Sequence, residues 1–589
     1  MAEYQNPQHE PGSERRLLLI FLVTFVVMLA AQPLLKKYFP TPPPPKEQPS
    51  QPVGTPPAPS EQPAPNSAQP AATSAKPAVA PNVAAKQASS ETETVIENDL
   101  YRITFTNRGA HVKSWILKKY DNEAENGPLD LVNSPAAAQY GYPLSLWTYD
   151  PDLRTKLDSV LYVSTSEGKQ STPVTITFEY ADHDLAVRKT FSFDESYIVK
   201  VESSVTSKGS SVSALPSWPS GFGDQVTAAF YAAGLVDYQY NKNIERVAVK
   251  KISGGATIQG PFHWAGPTDQ YFAAVFIPDD ANSTSMVTLR NPLSIPRDPK
   301  EPKDKEKTNV DVVGAAVGNL HGPTSERVFV GPKELDVLQK ISIPGVSGAE
   351  TNLSGLVDFG WLGPIAKPLF IWLRWTYYHM VPNWGWAIIV QTLIISIVLM
   401  PLRVYQIHSM YKMQKIAPQM KVIQDKYKKY SMRDPRKQEM QKEIYALQQK
   451  EGANPLAGCL PMLIQMPFLF AYYRMLGTAL DLRHAPWLWV HDLSAADPIY
   501  VLPVLMVISS LVTQKMTPQA GMDPQQQKMM NVMMPLMMGF IFFRLAAGLN
   551  LYYAVVNLIG IGQQAIMNRT RQGREMRELM EKRARKKDK

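Results

Sequence analysis

Residues 403–452 form a strongly basic segment between two apolar segments. Residues 403–452 read RVYQIHSMYKMQKIAPQMKVIQDKYKKYSMRDPRKQEMQKEIYALQQKEG and hold twelve Lys/Arg against five Asp/Glu. The apolar segments 384–402 and 456–476 flank it. Because short basic loops between membrane spans stay in the cytoplasm, this loop fixes the orientation of every other span.

The same segment has the pattern of a helical hairpin. Apolar residues recur at spacings of three and four from Ile407 to Tyr430, which predicts an amphipathic helix. Pro418 predicts a kink or a restart in that helix. Asp434 followed by Pro435 is typical of a helix start, so a second helix should follow. We predict a cytoplasmic helical hairpin over this segment. Its basic residues include Lys412, Lys415, Lys426, Lys428 and Lys429.

The composition limits the class of protein. A chain of 589 residues is too long for one compact domain. The formal net charge is +9 and lies beside apolar segments, which favours a membrane surface or a ribosome over free nucleic acid as partner. The one cysteine, Cys459, excludes an intrachain disulfide framework and a cysteine zinc cluster.

The N-terminal region predicts an anchor and a tether. Residues 17–35 are almost continuously apolar, with basic pairs on both sides, and are long enough to span the hydrocarbon layer. A cleaved signal peptide is the alternative, although its apolar core is usually shorter. We interpret residues 1–36 as an uncleaved anchor with its N-terminus in the cytoplasm. Residues 37–91, rich in Pro, Ala, Gln and Ser, then form an extended linker.

Residues 92–345 have the period of two that predicts strands, with Gly, Pro, Asn and Asp between them. We therefore predict that this region is an all-β sandwich on the periplasmic side. The region has no nucleophile elbow, Walker loop or HExxH motif, and Asp182-His183-Asp184 cannot face one metal ion from adjacent strand positions. We predict no catalytic residue, cofactor or metal, and leave open a groove for an extended chain. The predicted strands are 101–107, 160–165, 174–179, 186–193, 197–206 and 246–252.

Residues 346–381 are rich in aromatic side chains but interrupted by Gly, Pro and charged residues. This profile is typical of an amphipathic helix that lies in the membrane interface. Residues 382–568 then predict a core of five spans. Those spans are 384–402, 456–476, 498–513, 529–543 and 549–566.

The predicted topology can be checked against the C-terminal charge. Residues 498–513 and 529–543 are short for spanning helices. With the anchor, the chain has six predicted spans, which places both termini in the cytoplasm. The tail, residues 569–589, carries ten Lys/Arg against four Asp/Glu, in agreement with a cytoplasmic position.

Polar side chains inside predicted spans are costly and are therefore candidates for function. Three of the core spans carry them. Hydrogen bonding between helices is the alternative for any one of these residues. Three polar helix faces together favour a shared hydrated groove. The predicted groove residues are Gln391, Thr392, Ser396, Gln465, Tyr553 and Asn557.

A methionine-rich face on the fourth core span predicts an adaptable apolar surface, because thioether side chains are flexible and polarisable. Packing inside the helix bundle explains the same residues equally well. The short spans also predict that the bilayer becomes thinner around them. The residues predicted to form a hydrophobic slide are Met530, Met533, Met534 and Met537.

Short motifs in the core match a known family. They are Asn454-Pro455 with Gly458, Cys459 and Pro461, then Gln465-Met466-Pro467, His491-Asp492-Leu493-Ser494, Asp497-Pro498, and Leu551-Tyr552-Tyr553 before Asn557. With these motifs, residues 384–568 resemble the YidC-type membrane protein insertases. The domain order is similar to the Gram-negative form with a large periplasmic domain. The resemblance implies a multi-pass protein of the bacterial inner membrane that inserts and helps fold other proteins and is not an enzyme.

One position departs from the family pattern. The resemblance implies that Thr392 and Tyr553 line the groove, and the family usually has an arginine where this chain has Ser396. The sequence therefore predicts a groove without a fixed positive charge, hydrated by Gln391 and its polar neighbours.

The predicted function is membrane insertion through this groove, alone or beside the Sec translocon. The hairpin would receive clients, and the basic tail would contact ribosomal RNA. The expected partners are nascent membrane proteins, the Sec translocon, the ribosome and the lipid bilayer. A secondary transporter is an alternative, but it should show internal repeats and paired broken helices. A periplasmic binding module whose spans only anchor it is another.

Overall fold

The computed structural model describes most of the chain. The described residues are 85–241, 243–297, 307–345, 351–427, 430, 434–453, 460–516, 524–575 and 577–578, with the backbone alone at 460–464 and 524–531. The predicted anchor, nearly all of the linker, Lys428, Lys429 and tail residues 579–589 lie outside the described part.

Residues 93–332 form a β-rich region, hereafter the β-domain, so the prediction of a β-rich domain is confirmed. Its strands are β1 Glu93–Glu97, β2 Tyr101–Thr106, β3 His111–Asp121, β4 Pro128–Asp130, β5 Leu146–Trp147, β6 Val163–Ser164, β7 Gly168–Ser171, β8 Val174–Ala181, β9 Leu185–Phe193, β10 Ile198–Ser207, β11 Ser210–Ser211, β12 Leu215–Trp218, β13 Leu235–Tyr240, β14 Asn243–Ala248, β15 Thr257–Gln259, β16 Phe262–Thr268, β17 Phe272–Pro278, β18 Thr284–Pro296, β19 Lys307–Asn319 and β20 Thr324–Pro332.

These strands are arranged in three sheets. Their orders are β4-β3-β2-β1-β7, β14-β13-β16-β17-β20-β10-β9-β8-β6 with β11 beside β10, and β15-β18-β19-β12-β5. In β9 buried and exposed side chains alternate, because a strand points successive side chains to opposite faces. Aromatic rings fill the buried side. Phe105 of β2 lies 5.0 Å from Phe191 of β9 and 5.9 Å from Phe178 of β8, measured between ring centroids.

Short helices lie within the β-domain and directly after it, and the prediction of an all-β domain over residues 92–345 omitted them. They are α1 Ser134–Tyr140, α2 Pro151–Ser159, α3 Ala228–Ala232 and α4 Leu335–Leu338. The cause of α2 is local. The Asp150 carboxylate accepts hydrogen bonds from the backbone N–H groups of Asp152 and Leu153, and Pro151 begins the helix. Because α2 extends to Ser159, the predicted strand 160–165 shrinks to β6.

The C-terminal part of the chain is helical. Its helices are α5 Gly363–His379, α6 Trp384–Val398, α7 Met400–Lys426, α8 Arg436–Lys450, α9 Leu460–Thr478, α10 Val501–Met516, α11 Pro524–Phe542 and α12 Ala547–Arg569. The prediction for Pro418 was a kink or a restart, and helix α7 runs through this residue, so no restart occurs there. Judged one at a time, no described helix is both long and apolar enough to cross a membrane. Helices α5 and α6, bent by 119°, meet that criterion as a pair.

Helices α7 and α8 form the hairpin and pack along the apolar stripe seen in the sequence. Ile416 and Met420 of α7 share a buried cluster with Ile444 of α8. On the outside, Lys426 Nζ lies 2.8 Å from Glu443 Oε1. The stripe sets the packing face, because residues three and four apart lie on one side of a helix.

The β-domain is joined to the helical region by a buried junction around Arg483. One guanidinium nitrogen donates to the backbone oxygen of Asp121 at 2.9 Å, and another lies 3.0 Å from the Asp224 carboxylate. Burial raises the pKa of Asp224 to about 6. Nearby, the hydroxyls of Tyr271 and Ser494 lie 3.1 Å apart. The junction therefore ties the two regions through polar groups with little access to water.

We predict that Arg483→Ala destabilises the full-length protein. Removing one partner of a buried ion pair leaves the other charge buried without a counter-charge, which lowers the free energy of unfolding by about 3–5 kcal/mol. The measurement is the apparent Tm of the purified protein. Lys86→Ala is the control, because Lys86 pairs with Glu179 on the surface and should contribute at most about 1 kcal/mol. Adding Asp224→Asn to Arg483→Ala should recover part of the loss. Equal shifts in Tm for Arg483→Ala and Lys86→Ala would contradict the prediction.

Candidate functional site

A cavity with a mixed polar and apolar lining lies between helices α6, α7, α9 and α12. It offers about 60 Å³ to the centres of water molecules, and a cavity of that size has room for a few waters. It lies where α6 passes into α7, so it is close to the base of the hairpin. Its lining residues are Thr392, Ile395, Ser396, Leu399, Leu402, Arg403, Gln465, Phe468, Tyr552, Val556, Ile559 and Gln563.

Three of the six predicted groove residues line this cavity. Thr392 and Ser396 lie one turn apart on α6, and Gln465 faces them from α9. The Thr392 side chain is fully buried, and its hydroxyl donates to the backbone oxygen of Ile388 at 2.6 Å. The structure thus brings together predicted groove residues from two helices, whereas the sequence predicted three.

Gln391 is placed elsewhere. Its side chain is fully buried, its Nε2 donates to the backbone oxygen of Leu369 at 2.9 Å, and its Oε1 accepts from the Tyr472 hydroxyl at 2.6 Å. It therefore does not line the cavity, and the expectation that it hydrates the groove does not fit its position. Tyr472 in turn stacks on Tyr552, with ring centroids 4.0 Å apart. Gln391, Tyr472 and Tyr552 form a packed layer that links α5, α6, α9 and α12.

Tyr553 and Asn557 of α12 are not among the residues that line the cavity. The Tyr553 ring packs against Phe542 of α11 at 5.2 Å. The Asn557 side-chain amide donates to the hydroxyls of Ser509 and Ser510 on α10, at 3.2 Å and 2.9 Å. For Asn557 the alternative interpretation, hydrogen bonding between helices, describes the geometry.

Arg403 is the cavity residue that sequence reasoning missed. Its side chain is half-buried and lines the cavity, and a Cβ added at Gly560 of α12 would lie 2.5 Å from its Nη2. Within the described part of the chain, its guanidinium has no hydrogen bond or ion pair. Arg403 belongs to α7, after the break between Val398 and Met400, so the spacing of polar residues on α6 gave no signal for it. The structure thus places a cation where the sequence predicted none.

The predicted slide is divided between two environments. Met533 is 63 % exposed on the outer side of α11, whereas Met534 packs against the main buried cluster and Met537 is half-buried. The Met530 side chain lies outside the described part. Leu536 and Phe540 continue the exposed face three and seven residues after Met533. The outer surface of α11 is therefore apolar, but methionine is only one of its components.

The predicted hairpin lysines do not share one environment. Lys426 is paired with Glu443, whereas Lys428 and Lys429 lie outside the described residues. Lys412 and Lys415 line a second cavity of about 360 Å³ near the start of the hairpin. Its other lining residues are Tyr405, His408, Ser409, Tyr411, Gly452, Gln572 and Glu575.

Comparison with known proteins places the chain in a family. Residues 375–575 match the family model described as 60Kd inner membrane protein, and residues 93–372 match YidC periplasmic domain. A relative from Geobacter sp. (strain M21), named membrane protein insertase YidC, is 31 % identical over 501 residues, which cover 81 % of this chain and 86 % of the relative. One from Cupriavidus taiwanensis with the same name is 34 % identical over 68 % of this chain and 69 % of its own.

A solved structure titled "Active YidC insertase crystal structure with the first transmembrane domain resolved" aligns with 83 % of this chain and 95 % of its own, at 19 % identity and a TM-score of 0.34. The assignment rests on the sequence matches, which span both the β-domain and the helices. The chain belongs to the YidC family of membrane protein insertases.

Proposed function

We propose that this chain inserts proteins into the bacterial inner membrane through the cavity between α6, α7, α9 and α12. The observation that carries the proposal is that one helical region holds both a cavity lined in part by polar side chains and an exposed apolar helix surface. Arg403, Gln465 and Gln563 line the cavity, while Leu536 and Phe540 lie exposed on α11. A client with one polar and one apolar segment needs both environments at the same time.

The membrane arrangement of this proposal has six spans. Helices α6, α9, α10, α11 and α12 supply five, and residues 17–35 supply the anchor. Exposed apolar side chains such as Val504, Ile508 and Leu558 support lipid contact on α10 and α12. Helix α5 would lie in the outer interface, with Trp375 and Tyr378 exposed. Both termini and the hairpin would then be cytoplasmic. The proposed domains are a periplasmic β-sandwich domain at 92–345, an interfacial helix at 346–381 and a five-span core at 382–568.

In the proposed mechanism the cavity shortens the apolar distance that a polar segment must cross. Thr392, Ser396 and Gln465 supply neutral donors and acceptors, and Arg403 supplies a fixed positive charge. The layer of Gln391, Tyr472 and Tyr552 closes the cavity on the side away from the hairpin. The apolar segment of the client leaves along the exposed face of α11 into a bilayer thinned by short spans.

Partners follow from the same arrangement. Nascent membrane proteins are the clients, with the Sec translocon as a second route of delivery. The basic tail would contact the ribosome, and the hairpin would receive the client before it reaches the cavity. Lys412 and Lys415, at the base of the hairpin, suit a first contact with acidic segments. Membership in an insertase family leaves the transporter and the simple anchor without support.

Reconstitution tests the proposal. Liposomes containing only this protein should protect the translocated tail of a newly synthesised single-span client from added protease, several-fold more than empty liposomes. Replacing Thr392 and Ser396 together by Leu should remove that gain, because the cavity loses two of its polar groups and part of its volume. Leu393→Val is the matched control, since Leu393 is exposed on the same helix. Protection no greater than in empty liposomes would show that the protein does not insert clients by itself.

A further inference from the structure

A larger cleft, the β-domain cleft, lies outside the insertion machinery. Its volume is about 670 Å³, within the size range of sites that hold small organic ligands. Its walls come from α1, α2, β2, β3, β5 and β18. The lining residues are Glu91, Thr106, Arg108, His111, Lys113, Ala137, Ala138, Gln139, Tyr140, Gly141, Tyr142, Trp147, Arg154, Thr155, Asp158, Ser159, Leu289 and Asn291.

Part of this wall is aromatic. The His111 imidazole stacks on the Tyr142 ring, with centroids 4.7 Å apart and planes at 4°. Trp147 lies under the Arg154 guanidinium at 5.0 Å, and the Tyr140 hydroxyl donates to a backbone oxygen of β18. The stacked pair holds its rings in a fixed orientation, and flat ring faces are good partners for apolar C–H groups.

Two polar atoms behind the cleft wall are buried and lack a hydrogen-bond partner within the described part of the chain. His111 is only 7 % exposed and its Nδ1 makes no hydrogen bond, and neither does Oδ1 of Asp158. Burial lowers the pKa of His111 to about 3, so the ring is neutral and offers one donor and one acceptor. Because the two buried atoms are not reached from the open cleft, a ligand would meet the other polar atoms of these side chains and the Asn291 amide.

Two of the three cations that line the cleft are paired with carboxylates. Arg108 lies 2.9 Å from Glu91, and Lys113 lies 2.6 Å from Glu93. The third, Arg154, donates twice to the backbone oxygen of Thr148. An anion would therefore have to displace a carboxylate from Arg108 or Lys113, or bind at Arg154 near the negative charge of Asp158, which disfavours a phosphate or carboxylate ligand.

The main chain offers little to a peptide. The strand that contributes to the cleft wall next to α1 and α2 is β5, Leu146–Trp147, which is two residues long and pairs with β12. A peptide that adds to a sheet needs a longer unpaired edge. The cleft instead presents side chains of mixed donor and acceptor character around an aromatic pair.

From this combination we propose that the β-domain cleft binds an uncharged saccharide of one to three rings. Each sugar hydroxyl donates and accepts at once, which matches the neutral imidazole, the Asp158 carboxylate and the Asn291 amide. The C–H face of a sugar ring matches the Tyr142–His111 stack. This activity is independent of client insertion and would give the β-domain a periplasmic ligand of its own.

Calorimetry on the full-length protein tests the proposal, in a detergent that has no sugar headgroup. The probes are maltotriose, cellotriose, triacetylchitotriose, a neutral Ala/Ser decapeptide and inorganic phosphate. At least one trisaccharide should bind saturably with Kd below about 1 mM, and the peptide and phosphate should not. Tyr142→Ala should weaken that binding about tenfold by removing the stack, and Asn291→Ala several-fold.

Tyr240→Ala is the matched control, because Tyr240 is an exposed aromatic residue of the β-domain that does not line the cleft. It should leave the Kd unchanged, and all three variants should keep the Tm of the parent. Absence of saturable saccharide binding up to about 20 mM would overturn the proposal. So would tighter binding of the decapeptide or of phosphate, or saccharide binding that neither cleft variant weakens.

Discussion

Arg403→Gln should lower the insertion of clients with acidic translocated segments by about tenfold or more. A charge-assisted hydrogen bond to a carboxylate contributes about 1.5–3 kcal/mol, and a half-buried site screens it little. Arg403→Lys should keep most of the insertion of the acidic client. The positive charge stays in the cavity, although the planar guanidinium that can bind a carboxylate through two hydrogen bonds is lost. The measurement is the protease-protected fraction of an acidic client in liposomes.

Two controls separate the charge from the fold. The same client with its acidic residues changed to Asn and Gln should be inserted equally well by the parent protein and by the Arg403→Gln variant. Arg571→Gln should have no effect, because Arg571 is exposed and paired with Glu575. Moving the cation back, with Arg403→Ser and Ser396→Arg in one chain, should restore insertion of the acidic client. Equal loss for the acidic and neutral clients would contradict a role for this charge.

Gly560→Val should also impair insertion of the acidic client, by about fivefold to tenfold. A Cβ at this position would lie 2.5 Å from Nη2 of Arg403, so the guanidinium must leave the place it now occupies. Because the displaced group is the end of a flexible side chain, the helix should keep its fold. The effect should vanish in the Arg403→Gln background, since both changes act on one group.

Gly562→Val is the matched control for this variant. It lies two residues further along α12, where an added Cβ meets no atom within 4 Å. Both variants exchange glycine for a β-branched residue in the same helix and so share the same change in helix propensity. A loss with Gly562→Val as large as with Gly560→Val would show that propensity, and not the position of Arg403, causes the defect.

The sequence was most informative where the pattern is local. The packing face of α7 and α8 follows from the spacing of Ile416, Met420 and Ile444, because a charged helix shows its apolar side clearly. The β-rich region follows from alternation in the same way. Asp150-Pro151 carried a helix-start signal that a period-of-two interpretation overlooked, and it produced α2.

The cavity was less predictable, for a physical reason. Apart from Gln391, Thr392 and Ser396, helix α6 is apolar on all sides, so its sequence does not reveal which side faces other helices. Thr392 and Gln391 are neighbours, yet one lines the cavity and the other bonds to α5 and α9. Arg403 lies beyond the predicted span and was counted with the hairpin. Only the packing of α12, with Gly560 opposite, shows that its side chain reaches the cavity.

Photo-crosslinking tests most directly whether clients occupy the cavity. A photoreactive residue is placed at Ser396 or Gln563, which line the cavity, or at Ile566, which is 61 % exposed on the same helix as Gln563. A client halted during insertion carries distinct tags on its polar and apolar segments. We expect crosslinks from positions 396 and 563 to the polar segment, and none to that segment from position 566. Crosslinks to the polar segment from position 566 alone would contradict the proposed route through the cavity.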